Sequence, residues 1–474
     1  MKHIEIIRPN TFEAENHWYE KSLNATIHPM VAYFLKLDKE QITKRYCHLN
    51  PTVNSSDLME VLSYKAKHYH LSGADLLNVT RENGNRQMIV IENNSCPSGQ
   101  KSMPLLDEFN EQGGYKTFME QTIKPQISYS KNPVVAVLYD KNYMEASGYA
   151  HSLSDMIGLP VRLVPFYDKD PNEYIKTSGE YVELFINDKW EQVSFLFRYL
   201  TQKPWNRLPV KSKTTIVNPT IVCLAGGRNK LTASKAYSLF NSELAEKNLK
   251  IHTPKTIWDV NKNEIPLWVS NFGGKAVIKN PYSNAGQGVH TIVNQAELNK
   301  FMATDFEYDK FIVQSLVGNY NWSSKVNEST YYHVGTVPNK KGDSFVLDFR
   351  MMIHTTKTGY RPVSIYSRRA RSPLKDSLES GQDSWDILGT NLSYKNTDGS
   401  WNSQTSRLLL MERKEFNNLG IGLDDLIEGF IQTVLSSIAI DKMAIQLLDE
   451  NGELNRKLFQ SLNDDDSLLN EIMK

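Results

Sequence analysis

The stretch IVIENNSCPSGQKSM, residues Ile89–Met103, begins as a buried strand and turns polar after three residues. Glu92 and Asn94 are two positions apart and therefore on one side of an extended chain. Pro97 and Gly99 then force a turn. A carboxylate and an amide oxygen side by side at the end of an apolar strand do nothing for a core. They suit a hard cation: Mg²⁺ takes oxygen ligands, only one or two of them carboxylates, and leaves the rest to phosphate and water. Glu92 and Asn94 are thus candidate metal ligands, and a phosphate site is expected elsewhere in the chain.

That site is found in KAVIKNPYSNAGQGVHTI, residues 275–292. A short strand ends on Lys279, a small-residue loop runs through Ser283, Asn284, Ala285, Gly286, Gln287 and Gly288, and a second strand starts at Val289. Glycines let a backbone approach a ligand closely, successive N–H groups in such a turn form an anion nest, and Lys279 adds a full charge. Downstream, KFIVQSLVG reads as a strand running into a linker, where backbone groups of Gln314, Ser315 and Leu316 face a cleft suited to a purine edge. SFVLDFRMMIH alternates, which sets Asp348 and Arg350 on one strand face. Beside a metal and a transferring phosphoryl group this pair would supply a further oxygen ligand and a clamp for developing charge.

Composition narrows the alternatives. With 54 basic and 54 acidic residues in 474 the formal net charge is zero, so no global field recruits nucleic acid or an anionic membrane. No apolar run reaches membrane-spanning length, and the start MKHIEIIRPNTFEAE is charged where a signal peptide is apolar, so a cytoplasmic protein is expected. Cys47, Cys96 and Cys223 are widely spaced, which argues for reduced thiols over a disulfide framework or a zinc site. Cys96 has no readable histidine partner and is expected to line the turn.

The chain divides into five stretches. Residues 1–80 read as a helical segment, with a helix expected over 56–71, capped by Ser56 or Asp57. Residues 81–132 carry the metal motif. Residues 133–215 hold a strand, helix, strand unit, PVVAVLYD to PVRLVPFYD, which implies a parallel pair. Residues 216–400 hold a helix and then the strands and turns around the expected phosphate site, and 401–474 return to helix.

Taken together these segments resemble the ATP-grasp superfamily, in its circularly permuted branch, similar to glutathionylspermidine synthase-like proteins. IENNSCPSG looks like the metal-binding Glu-x-Asn, placed early in the chain as the permuted proteins have it. HYHLSGADLL looks like the segment upstream of it. AGGRNK is similar to the segment delivering the first ATP-contacting lysine, here Lys230, with Lys235 close behind it. VIKNPYSNAGQGV is similar to the second lysine and flexible loop, VQSLVG to the hinge, LDFR to the Asp-x-Arg strand. SRRARSPL and GQDSWDIL are weaker matches that make Arg368 or Arg369, and Asp383, candidates near the reacting groups; Arg369 is taken with Arg350 and Lys230 as catalytic. IDKMAIQLLDENGELN resembles an unpermuted strand pair, but no Glu-x-Asn follows it, so Asp441 is expected to be structural.

The resemblance implies an α/β fold of α+β lobes, with ATP and Mg²⁺ as cofactors, Asp348, Glu92 and Asn94 on the metal, and Lys230, Lys279, the loop 283–288 and Gln314 to Leu316 on the nucleotide. It implies an ATP-dependent ligase that joins a carboxylate to an amine through an acyl phosphate, with an amino acid or short peptide among its substrates. A phosphotransferase at the same site, or a non-catalytic nucleotide-binding protein, is the alternative.

Overall fold

The structure, a computed structural model, describes residues 4–127, 133–167, 173–283, 286, 288–326, 330–379, 382–395 and 401–473. Its centre is an antiparallel sheet of six strands. Arg86–Asn94, Leu71–Thr80, Leu347–Thr356, Gly359–Arg369 and Leu408–Leu409 lie side by side in that order, and Tyr332–His333 pairs with the far end of Leu71–Thr80. Alternation gives this sheet two unlike faces. Ala74, Leu76, Leu347, Phe349 and Met351 turn to the 24-residue helix Leu423–Gln446, which shares their core. Asp75, Asp348, Arg350, Tyr366 and Arg368 turn the other way, into a cavity.

A bulge decides which face Glu92 occupies. Met88 and Val90 belong to the core beside the helix, and strict alternation would send residues 92 and 94 after them. Between Asp75 and Leu76 the register instead shifts, with Asp75 opposite Glu92 and Leu76 opposite Val90. The extra residue, Ile91, flips the remainder of the strand, so Glu92 and Asn94 face the cavity. Asn93 now points at the helix, where its Nδ2 donates to Ser436 Oγ (3.0 Å) and its Oδ1 accepts from Ser72 Oγ (2.8 Å).

Two further sheets flank the cavity. A four-stranded antiparallel one, Thr256–Asn261, Lys310–Ser315, Ala276–Lys279 and Val289–Ile292, packs its core against helices Ile265–Asn271 and Gln295–Ala303. The other, seven-stranded and mixed, contains the expected parallel unit: Val134–Tyr139, helix Tyr143–Ile157 and Val161–Pro165. Lys189–Tyr199 lies parallel to Val134–Tyr139 on its other side. Among the described residues no helix is long and apolar enough to cross a membrane.

The helical N-terminal segment is shorter than the sequence suggests. Its last helix is Ser55–Leu62, capped by Asn54, whose side chain accepts from Ser56 N–H (3.0 Å). The chain then leaves the helix because Asp441 collects it: its carboxylate accepts Tyr64 O–H (2.8 Å) and the N–H groups of Lys67, His68 and Tyr69 (3.0, 2.8 and 2.8 Å). Those donors are spent on a side chain 370 or so residues away, and a strand begins at Leu71. Glu5–Ile7 is likewise a strand, paired with Val161–Pro165.

Candidate active site

The cavity encloses about 460 Å³ between the open face of the six-stranded sheet, the four-stranded sheet and the turn after Asn94. On its floor is a buried network of two carboxylates and two guanidiniums. Arg350 donates Nε and Nη2 to the two oxygens of Asp75 (2.6 and 2.7 Å), to which it is opposite in register. Arg368 pairs with Asp348 through Nε (2.9 Å) and Nη2, and the same Nη2 lies 2.9 Å from Asp75. Burial alone would raise the Asp75 carboxyl, but Arg350 and Arg368 hold it well below the usual carboxylate range. Burial pushes Asp348 up, against the pull of Arg368. Asp75 is the residue that sequence reasoning missed: it lies next to Glu92 across the strands and, like Asp348, has both oxygens engaged by the arginines.

Around Glu92 are two lysines. Lys230 Nζ lies 3.6 Å from Glu92 Oε2 and donates to the Ser283 carbonyl (2.6 Å) and hydroxyl (3.2 Å). Lys235 turns elsewhere, to Leu462 O (2.6 Å) and Asp259 (2.9 Å), which leaves Lys230 as the lysine beside Glu92. Lys279 is buried and donates to Ile91 O (3.3 Å). Burial, reinforced by Lys230 and opposed by Glu92 and Asp75, pushes Lys279 down to about 8. Asn94 Oδ1 accepts from Arg228 Nη1 (3.1 Å).

The loop after Lys279 is closed at its base by Asn280 N–H to Gly288 O (2.7 Å). Gly288 has φ +67°, and a Cβ there would lie 2.6 Å from the Asn280 amide, so the position demands glycine. Gly286, at φ +74°, lines the cavity beside Trp385. Asn284, Ala285 and Gln287 lie outside the described residues.

At the other end of the cavity wall, Gln314, Ser315 and Leu316 line it as a group. Their backbone is already committed: Ser315 N–H donates to Lys255 O (2.8 Å), Leu316 N–H donates to Ser324 Oγ (2.7 Å), and Leu316 O accepts Ser324 N–H (2.9 Å). What they offer a ligand is therefore side-chain surface more than free peptide groups.

Arg369 does not reach the cavity. Gly359–Arg369 alternates, Tyr366 and Arg368 face inward, and Arg369 lies with its guanidinium 4.6 Å from the Phe345 ring. Asp383 caps the short helix Ser384–Leu388 by accepting from Trp385 N–H (2.9 Å). The Cys96 thiol, raised by burial, donates to Arg198 O (3.2 Å) in the cavity wall.

No protein-family model and no curated protein matches the sequence. Solved structures do. A glutathione synthetase-like effector from Globodera pallida is 12% identical over 73% of this chain and 86% of its own, with a TM-score of 0.38. A RimK domain ATP-grasp protein from Sphaerobacter thermophilus is 11% identical over 52% and 93%, TM-score 0.29. D-alanyl-alanine synthetase A from Vibrio cholerae is also similar, 8% identical over 64% and 99%, TM-score 0.33.

Proposed function

We propose that the protein is an ATP-dependent ligase of the circularly permuted ATP-grasp kind, forming an amide bond between a carboxylate and an amine and releasing ADP and phosphate. The observation that carries this reading is one cavity lined by Lys279, Arg350, Arg368 and the oxygen donors of Glu92, Asn94, Asp75 and Asp348, with Lys230 beside Glu92. Lysines and arginines at that density suit a polyphosphate. Glu92 and Asn94, with Asp348 as the sequence suggests and Asp75 across from Glu92, suit Mg²⁺ by the chemistry of the set, carboxylates and an amide oxygen. Among the described residues no three His, Cys, Asp or Glu side chains group as metal ligands. When bound, Mg²⁺ would neutralise phosphate charge.

The chain's own residues then divide the work. Lys279 and Lys230 hold the phosphates, and Gly286, which lines the cavity, lets the backbone come close to them. A carboxylate oxygen of the substrate attacks the γ-phosphorus, the bond to the bridging oxygen breaks, and ADP leaves. The amine nitrogen then attacks the acyl carbon, phosphate departs with the bonding pair, and the nitrogen loses a proton. Arg350 and Arg368, fixed by Asp75 and Asp348, present cationic edges where negative charge concentrates, and being held in advance they need no reorganisation. The gain is thus made in the transition state.

The test is release of ADP and phosphate from ATP and Mg²⁺ with pools of amino acids, short peptides and amines, with products read by mass spectrometry. A new mass equal to two substrates minus water supports the ligase, and Glu92→Gln should abolish it while leaving the fold intact. Accumulation of a phosphorylated acceptor instead would make the protein a phosphotransferase.

A further inference from the structure

The helix Lys230–Leu244 carries Lys230, Ala233, Ser234 and Tyr237 at i, i+3, i+4 and i+7, which puts them on one face. That face meets the strand Arg86–Asn94, and with Glu92 and Arg228 it lines a space of about 20 Å³ beside the large cavity. Ala233 is the short side chain in the row and leaves the room. Glu92 lines both spaces, whereas Tyr237 lines only the smaller one.

Tyr237 is buried, its ring in the core with Ala236 and Phe240. Its hydroxyl has no hydrogen-bond partner among the described residues. Arg228 repeats the pattern at one atom. Its Nη1 donates to Asn94 Oδ1 (3.1 Å) and its Nη2 to the Cys96 carbonyl (2.9 Å), while the buried Nε has no partner among the described residues. Burial, and after it the negative charge of Glu92, push the Tyr237 phenol far up, so it stays a neutral donor. A buried hydroxyl without a partner is costly, and a phenylalanine would fill the same core without that cost.

Size and charge together decide what could complete the set. One water needs about 10–15 Å³ of such volume and a few polar partners, so this space admits a water and is too small for a carboxylate or a phosphate. Lys230 and Lys279, which also line it, exclude a metal cation. We propose that one water stands here, accepting from Tyr237 O–H and Arg228 Nε–H and donating to the Glu92 carboxylate, and that Tyr237 is thereby a positioning residue for Glu92. Glu92 is then held from two sides, by Lys230 at 3.6 Å and by the water, with lone pairs still free for a metal. The inference rests on reading Glu92 as a metal ligand, and the experiment separates the two.

Crystal structures of the full chain, wild type and Tyr237→Phe, at a resolution that shows ordered water would be paired with calorimetry of ADP with and without Mg²⁺. Wild type should show one water within hydrogen-bond reach of both Tyr237 Oη and Glu92, and Tyr237→Phe should lack it. The variant keeps its ring in the core and should melt close to wild type. It should lose about tenfold of the gain in ADP affinity that Mg²⁺ brings, with ADP binding in the absence of metal unaltered. If wild type has no water joining Tyr237 to Glu92, or if Mg²⁺ brings the same gain to both proteins, the inference is overturned. The wild-type structure decides the bridge whatever the stability of the variant. A bridging water with no effect of Mg²⁺ on ADP binding to wild type would uphold the bridge and remove the metal reading of Glu92 instead.

Discussion

Asp75→Asn tests the centre of the site with almost no change of shape. The Asp75 carboxylate takes two hydrogen bonds from Arg350 and lies 2.9 Å from Arg368, with side-chain exposures of 7 to 11% for these three residues. An amide in its place leaves two buried guanidiniums with Asp348 alone. Removing one partner of a buried pair destabilises by about 3–5 kcal/mol, a large part of the roughly 5–15 kcal/mol a folded protein has. Urea unfolding at pH 7, followed by far-UV circular dichroism and tryptophan fluorescence together, reads the loss. The double variant Asp75→Asn/Arg350→Met removes the stranded charge as well and should recover most of it. The sign with pH follows from Asp75 being depressed in the folded state below its ordinary 3.8. Its contribution is complete above that ordinary value and is lost as pH falls through the lower folded one, so the gap between wild type and Asp75→Asn should be full at neutral pH and close only in strong acid. A loss below about 1 kcal/mol, or a double variant no better than the single, would refute the ionic account of this floor.

Three more expectations follow from the geometry. Lys279, at about 8 in the free protein, should bind phosphate only as the ammonium, so nucleotide affinity measured by calorimetry should be flat below that pH and fall up to about tenfold per unit above it; Lys279→Arg should flatten the fall. Arg368→Gln should remove turnover, whereas Arg369→Gln, which loses a contact with the Phe345 ring, should cost no more than about 1 kcal/mol in unfolding and leave ADP release unchanged. Asp441→Ala strands three backbone N–H groups and the Tyr64 hydroxyl and should lower unfolding stability by about 3 kcal/mol or more, while the protein that remains folded binds nucleotide normally.

The parts of the fold that local patterning controls were legible in the sequence. The strand, helix, strand unit at 134–165 and the hairpin around Lys279 each follow from periodicity and turn residues within a short window. Glu92 and Asn94 were legible as a pair, but which face they took depended on a bulge at Ile91 that no composition signals. Asp75 did leave a signal, a lone carboxylate inside the apolar run LSGADLLNV, which a buried strand tolerates only with a partner. That partner, Arg350, is 275 residues away and invisible to any local reading. The doublet Arg368–Arg369 offered two choices of face, and only the register against Leu347–Thr356 selects the first. The helix expected over 56–71 was cut short by the still more distant Asp441.

The strand Leu71–Thr80 sits between Arg86–Asn94 and Leu347–Thr356. A ribosome moving at about 5–20 residues per second needs roughly 14–55 s to advance the 275 positions from Asp75 to Arg350. Through that interval one edge of Leu71–Thr80 lacks its neighbour, Asp75 has no counter-ion, and Asp441, which anchors the strand's entry, has yet to be made. The site is among the last things the nascent chain completes. Truncation before Leu347 therefore leaves one edge of Leu71–Thr80 open to other chains, and truncation before the helix Leu423–Gln446 leaves the apolar face of the sheet uncovered.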